Sequence, residues 1–506
     1  MSIARKILTN TFAQVAGKFV IALMGLMVVK ITTTYLSVEG YGEYVIIYEF
    51  LAFFGIAADL GLFTIAVRDM SEREKEIPKI IGNILSLRTI LVILTMLAAI
   101  ITVFAIPAYA DTRIPMGVAL ASLTTILAIM NGTISSVLQV KLKMEIASIA
   151  AVLGKAVTLG FMVYVVFFGF PTDTDTGFYM LIFAGIVGNL AMVFFTNHHV
   201  KKITPLVYRF DLDLWKEVMV KSLPYGIALI LNTIYFRIDS ILISVIRGQE
   251  EVGVYGVAMK MLENFAILPL YFMNSVLPVL TKSLKEKADK YKEIIRYAFD
   301  FLAALAVPIV VGGVLLAYPL IFIVSTPEFM SRLDEGFYGS DIALQILLFA
   351  LLFQFLNVLF AFILLAVKKQ SKLLYINGAC VIFNIIANII FIPIYGFRGA
   401  AVTSVLSEMF ILIITYFVAR RYLDFSINFG NLGKIVISAL IMGAAVYLLQ
   451  SPTYEYVRNW NVFVLIPIGA MVYGALLYKT GVINKKMIGL IKKGERKPHD
   501  GQPTPP

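Results

Sequence analysis

Apolar runs of about twenty residues, separated by short polar connectors, fill most of this chain and leave few folds open. A bilayer core about 30 Å thick is crossed by about 20 apolar residues in a helix, which satisfies its own backbone N–H and C=O groups. Fourteen runs have that character. They are Phe12–Leu36, Tyr44–Val67, Ile81–Ile106, Met116–Leu138, Ile146–Phe170, Phe178–Thr196, Val218–Ile246, Val252–Leu280, Tyr297–Val324, Ile342–Val367, Leu373–Ile394, Gly399–Val418, Ile435–Leu449 and Val462–Tyr478. The thirteenth is short enough to be re-entrant. The expected fold class is an all-α polytopic membrane protein of about fourteen transmembrane helices. Only 15% of the 506 residues are charged and 59% are hydrophobic, against about 25% and 45–50% in soluble domains.

The 43 Lys and Arg residues test this reading independently of hydropathy. Connections from even- to odd-numbered runs, with both termini, hold 31 of them; connections from odd- to even-numbered runs hold 5. Cytoplasmic loops carry the excess of Lys and Arg. A multi-pass protein of the cell (plasma or inner) membrane with both termini cytoplasmic is therefore expected. The net charge of +11 flanks helices and suits an anionic inner leaflet, so membrane lipids are the expected partner of these charges and no nucleic acid is implied. The single cysteine, Cys380, lies within an apolar run and can form no intrachain disulfide.

An internal repeat organises the runs. "LSVEGYGEY" (Leu36–Tyr44) aligns with "RGQEEVGVY" (Arg247–Tyr255) at an offset of 211 residues. In each copy a long apolar run enters an acidic turn, and Gly-x-Tyr opens the next run. An offset matching six helices suggests two six-helix lobes in parallel orientation. The expected division is an N-terminal lobe over 1–208, a C-terminal lobe over 209–428 and two further helices over 429–481. A basic, disordered cytoplasmic tail is expected over 482–506.

Three stretches carry a family resemblance. "GYGEYVIIYEFLAFFGIAADLGLFTIAVRD" places Gly42, Tyr44, Asp59, Gly61, Leu62 and Arg68 in the pattern of the first lobe of polysaccharide flippases. "YFRIDSILIS" and "EVGVYGVAMK" resemble the seventh and eighth helices of that family. "YINGACVIFNIIANIIFIPIYGFRGAAVTSVLSE" resembles its eleventh and twelfth, with Asn377, Asn384, Asn388, Gly396, Gly399, Ala400 and Glu408. The chain is thus similar to the polysaccharide transport branch of the multidrug/oligosaccharidyl-lipid/polysaccharide exporter superfamily, which includes O-antigen flippases and is related to lipid II flippases. The resemblance implies two lobes around a central cavity, alternating access, and a lipid-linked oligosaccharide carried from the inner to the outer leaflet. Glycan polymerase or glycosyltransferase machinery would then be a partner.

Charges inside the runs point the same way. Each costs roughly 2.5–3.5 kcal/mol near the bilayer centre on insertion scales, so it must face another charge or a wet cavity. Arg237, Lys18, Lys30, Arg88 and Lys155 are candidates to line a cationic cavity for a phosphate or pyrophosphate; the alternative for each is an ion pair between helices. Arg suits an anion through bidentate hydrogen bonds. Asp239, Glu49, Asp59 and Glu408 are candidates for a coupling ion, a proton or a charge partner. Asp59 is the one expected to fix packing or pair with a cation, and Lys260 and Glu263, three residues apart, to pair along one helix. Arg237 and Asp239 stand roughly 160° apart on a helix and are expected to have separate partners. At the repeat offset Arg237 corresponds to Leu26, and Lys18 and Lys30 to Leu229 and Ile241. The charges do not follow the repeat, which favours an asymmetric binding surface over a scaffold role.

Other classes fit less well. The three histidines, His198, His199 and His499, lie outside the runs or at their cytoplasmic ends, and no nucleotide-binding glycine loop occurs. Neither an enzyme nor an ATP-driven transporter is expected, and no cofactor or metal is implied. The rivals are a multidrug or cation antiporter of the same superfamily and a non-transporting scaffold for envelope assembly.

Overall fold

Ser37 shows how the connectors work: its hydroxyl accepts the Gly40 N–H at 3.1 Å and caps a new helix two residues after the preceding one ends. The computed structural model describes residues 3–286, 290–427 and 429–482. Its helices are α1 (Ile3–Tyr35), α2 (Val38–Asp59), α3 (Leu62–Glu72), α4 (Ile77–Ala105), α5 (Ile114–Val140), α6 (Met144–Tyr164), α7 (Thr174–Lys201) and α8 (Leu212–Arg247). There follow α9 (Gln249–Lys285), α10 (Lys290–Leu315), α11 (Ala317–Val324), α12 (Ser340–Ala366), α13 (Ser371–Tyr395), α14 (Phe397–Tyr422), α15 (Phe429–Val457) and α16 (Val462–Lys479). The expected tail beyond Val482 lies outside the described residues.

Thirteen stretches among the described residues are long and apolar enough to cross a membrane. The last, Phe429–Lys479, is 51 residues long and contains both α15 and α16, divided by the turn Arg458–Asn461. One straight helix of that length would reach about 75 Å at ~1.5 Å per residue, whereas α15 and α16 each suit one crossing. The chain is therefore an all-helical multi-pass membrane protein, and α15 and α16 taken separately bring the candidate spans among the described residues to fourteen. Many large apolar side chains face outward, such as Ile101 and Phe104 on α4 and Ile437 and Leu440 on α15. A lipid environment covers such residues.

Four boundaries differ from the sequence reading. The first helix begins at Ile3 rather than Phe12. The run Tyr44–Val67 is broken at Leu60 and Gly61, whose φ values of 41° and 75° end α2 before α3 starts. The run Tyr297–Val324 is broken between α10 and α11. The thirteenth helix spans 29 residues instead of a short re-entrant segment, because Pro452 lies inside it rather than ending it.

The described residues form two compact units. One contains Met1–Met261, Ile321–Ala343 and Asn377–Thr403; the other Leu262–Leu320, Leu344–Ile376 and Ser404–Pro506. In the first, α5, α6 and α7 pack together, α1 lies on α6, and α2 contacts α4, α5 and α8. Leu62, Ile65, Met70, Ile80, Ile84 and Val137 form an apolar core where α3, α4 and α5 meet. The 203–211 linker is strapped to the start of α4. Arg209 N–H bonds to the Gly82 carbonyl (3.3 Å) and the Ser86 hydroxyl (3.0 Å), and Asp211 N–H to Asn83 Oδ1 (2.8 Å). A Cβ on Gly82 would collide with the Val207 carbonyl, so the strap needs glycine there. In the second unit, α15 packs between α10 and α16. Asn431 donates to Asp300 at 2.7 Å and the Tyr473 hydroxyl to the Ala304 carbonyl at 2.9 Å.

Repeat-related helices meet in the first unit. A Cβ on Gly42 would strike the Gln249 carbonyl, and one on Gly253 the Val38 carbonyl. These are reciprocal, since Val38 and Gln249, like Gly42 and Gly253, are 211 residues apart. Val45 touches the position where a Cβ on its equivalent, Gly256, would stand, at 3.1 Å. The first turns of α2 and α9 therefore cross backbone to backbone about a local pseudo-twofold axis.

Candidate functional site

The sequence candidates resolve into separate groups, most of them in the first unit. Arg237 on α8 reaches Glu49 on α2, its Nη1 lying 2.8 Å from Oε1 and 2.6 Å from Oε2. The Glu49 side chain is 9% exposed and that of Arg237 27%, so the carboxylate is buried while the guanidinium is partly exposed. Glu49 is about 11 residues from the start of α2 and Arg237 about 10 from the end of α8. At ~1.5 Å per residue both lie ~16 Å in, half the depth of a bilayer core.

Asp239 is turned to different neighbours. It is buried and accepts from the Tyr255 hydroxyl of α9 at 3.2 Å and from Asn388 Nδ2 of α13 at 2.7 Å. Asn388 also donates to Asn384 Oδ1 at 3.1 Å, and its own Oδ1 is buried with no donor among the described residues. Helices α8, α9 and α13 thus converge on one carboxylate.

Asp59 and Arg88 form a third group. Arg88 of α4 is 4% exposed and its Nη2 pairs with Asp59 Oδ1, immediately before the α2–α3 break. A Cβ on Gly61 would press against Tyr225 and one on Gly226 against the Leu60 carbonyl, so α8, at Pro224, packs into that break. The pair fixes the break to α4. Nε and Nη1 of Arg88 are buried without hydrogen bonds among the described residues.

The lysines have unlike roles. Lys30 donates to the carbonyls of Phe322 and Ser325, at the end of α11, where cations complement unpaired carbonyls. Lys18 is exposed on α1, beside Gly17, whose Cβ would stand 3.2 Å from Ser148 of α6. Lys155 of α6 is half-buried and makes no hydrogen bond or ion pair among the described residues, and Lys260 of α9 lies within electrostatic reach. Each stands about 11 residues into its helix, again at mid-membrane depth. Glu408 is buried on α14, in the second unit.

Sequence reading missed two clusters at the helix ends. Asp69, 2% exposed on α3, is surrounded by Arg68 (3.3 Å), Arg73 (3.5 Å) and Lys221 (3.5 Å), with Glu217 bridging Arg73 and Lys221. Glu43 accepts Arg113 N–H at 3.1 Å and Nε at 2.6 Å, and Arg113 also reaches Asp175 at 3.3 Å. Only the i,i+4 pairs Asp69–Arg73 and Glu217–Lys221 offered a spacing signal.

A model of the family described as polysaccharide biosynthesis protein matches residues 7–284, more than half the chain. The chain belongs to the polysaccharide biosynthesis protein family. A second family model, MatE, matches residues 224–390 of this polysaccharide biosynthesis family member. No curated protein matches it in sequence. Its fold is similar to that of the lipid II flippase MurJ in an inward closed conformation, with a TM-score of 0.72 and 15% identity over 94% of this chain and 100% of that one. An inward-facing multidrug resistance MATE transporter of the MOP superfamily gives 0.64 and 15% over 79% and 94%. A MOP superfamily transporter from Pyrococcus furiosus gives 0.55 and 16% over 82% and 95%. At these identities the likeness is one of fold.

Proposed function

We propose that this protein is a flippase that moves a lipid-linked oligosaccharide, on a polyprenyl phosphate or pyrophosphate, from the cytoplasmic to the outer leaflet for cell-surface polysaccharide or glycoconjugate assembly. The observation that carries this reading is Lys155, a half-buried cation at mid-membrane depth with no hydrogen bond or ion pair among the described residues and Lys260 nearby. A half-buried ammonium at that depth without an ion pair favours an anion beside it, and a phosphate-bearing head group supplies one while its polyprenyl tail stays in lipid. Arg237, partly exposed, is a second candidate contact, with Glu49 holding it in place. Lys18 and Arg88 remain candidates for the same cargo, whereas the Lys30 bonds favour a structural role.

In this reading the lobes 1–208 and 209–428 alternate access, helices over 429–481 are an addition, and both termini are cytoplasmic. The Asp239 cluster is the coupling site, where a cation or proton exchanges against the Tyr255 and Asn388 hydrogen bonds. Glycan polymerase or glycosyltransferase machinery would work beside it. The test is leaflet accessibility of a defined lipid-linked oligosaccharide in proteoliposomes. Parent protein should translocate it, and Lys155→Gln and Arg237→Gln should slow translocation at least tenfold. If both variants match the parent, the cationic site is wrong. The MatE match makes cation export the rival; efflux of a lipophilic cation without lipid translocation would favour it.

A further inference from the structure

At the end of the first unit where Lys and Arg are scarce, three connectors enclose a cavity of about 280 Å³. The α8–α9 turn contributes Arg247, Glu250 and Glu251, the loop before α12 Phe337 and Tyr338, and the α13–α14 turn Arg398. The walls are held by internal bonds. Arg332 and Phe337 exchange backbone hydrogen bonds at 2.9 and 3.0 Å around Gly336, whose φ is 76°. The buried Asp341 carboxylate accepts Ser331 N–H at 2.9 Å and its hydroxyl at 2.7 Å. Glu251 accepts Phe397 N–H at 2.7 Å and Arg247 Nε at 2.8 Å, and occupies the space a Cβ on Gly396 would need. A site built this way loses little entropy when it is filled.

Its free chemistry is specific. Arg398 lies flat on Tyr338, Cζ 3.6 Å from the ring centroid, and has no ion-pair partner among the described residues. Stacking fixes the plane of the guanidinium and leaves its edge N–H groups for a bidentate carboxylate. Glu250 is exposed and offers acceptors for hydroxyl groups, and Tyr395 is 52% exposed at the rim. An aromatic face, a fixed guanidinium edge and a carboxylate around a volume at the small end of ligand pockets, about 300–1,000 Å³, suit one polar ring with an acidic substituent. We propose that this cavity is an outer-face saccharide site that takes a single uronic acid residue, its carboxylate on Arg398, its hydroxyls on Glu250 and its C–H face on Tyr395. This rests on the reading that the cargo is a lipid-linked glycan, and places a contact for that glycan at the side where it emerges.

Saturation-transfer NMR on the full chain in nanodiscs tests it, with methyl glucuronide and methyl glucoside as probes. Parent protein should give a glucuronide signal about fivefold above the glucoside, the upper end for an exposed charge pair. Arg398→Gln should bring the two to equality, and Glu250→Gln should weaken both equally. Thermal midpoints equal to the parent's show that the variants are folded. No transfer to the parent, or an undiminished preference in Arg398→Gln, overturns the site. Translocation is measured on the same preparations. Protein that translocates but shows no saccharide transfer refutes the outer site alone. Protein that selects the glucuronide but translocates nothing refutes the flippase reading, while the saccharide chemistry of the cavity stands.

Discussion

Neutralising Glu49 leaves the Arg237 guanidinium at mid-membrane depth, and an arginine has no proton to give up there. Two unit charges about 4 Å apart attract by about 4 kcal/mol at an effective dielectric of about 20. Arg237 is 27% exposed, so screening lowers this; Glu49→Gln should cost about 2–3 kcal/mol, under the range of about 3–5 for breaking a fully buried pair. Arg237→Gln leaves a carboxylate, which can be neutralised by taking up a proton, and should be milder, about 1–2 kcal/mol. The double variant Glu49→Gln/Arg237→Gln has no charge to bury and should fall within about 1 kcal/mol of the parent. Unfolding in mixed micelles at pH 7, followed by circular dichroism, reads all four corners of the cycle. A double variant that loses the sum of the two single losses would refute the pairing. Translocation separates structure from function: if Arg237 meets the cargo, the double variant regains stability but not transport.

Other regions give shorter tests. Asp239→Asn removes the negative charge and one of the two oxygens that accept from Tyr255 and Asn388, and should abolish any dependence of transport on a cation gradient while leaving expression intact; unchanged dependence rules it out as the coupling site. Gly42→Val should destabilise by at least about 1–3 kcal/mol through overpacking, with Gly253→Val alike, measured by thermal midpoint. Asp211, whose carboxyl is held below the usual range by the Leu214 N–H and by Lys79, stabilises the strap above its unfolded value near 3.9; that contribution is lost as pH falls through the lower folded value. In a Trp460→Phe background, Trp215 emission should therefore shift only below about pH 4, and already at neutral pH in Asp211→Ala. An unchanged emission in Asp211→Ala would remove the strap's dependence on that cap.

The spans were legible because a bilayer imposes their length and apolarity, and loop charge checks them by a separate rule. The break at Leu60–Gly61 was not, since hydropathy runs straight through it; only the turn residues of "DLGL" hinted at a left-handed backbone. Nor was the full length of α15, which extends beyond both ends of the apolar run Ile435–Leu449. The opposition of Arg237 and Asp239 followed from helical angle alone, but their partners lie on other helices, 188 and 149 residues away for Glu49 and Asn388. Lys30 bonds to backbone carbonyls about 290 residues distant, a contact that no side-chain pattern announces. The cavity lined by Arg398 escaped notice for a related reason, since it is assembled from three connectors whose charges look unremarkable one at a time.

The crossing of α2 and α9 is self-complementary: each partner offers the same glycine to the same carbonyl of the other. Closed homodimers are joined in this way, and here the same geometry joins two repeats within one chain. Elsewhere the repeats differ, as Arg237 at the position of Leu26 shows. At the crossing a side chain added at Gly42 meets backbone that only a shift of the other repeat can move. The two glycines therefore act as one packing element placed at two positions 211 residues apart.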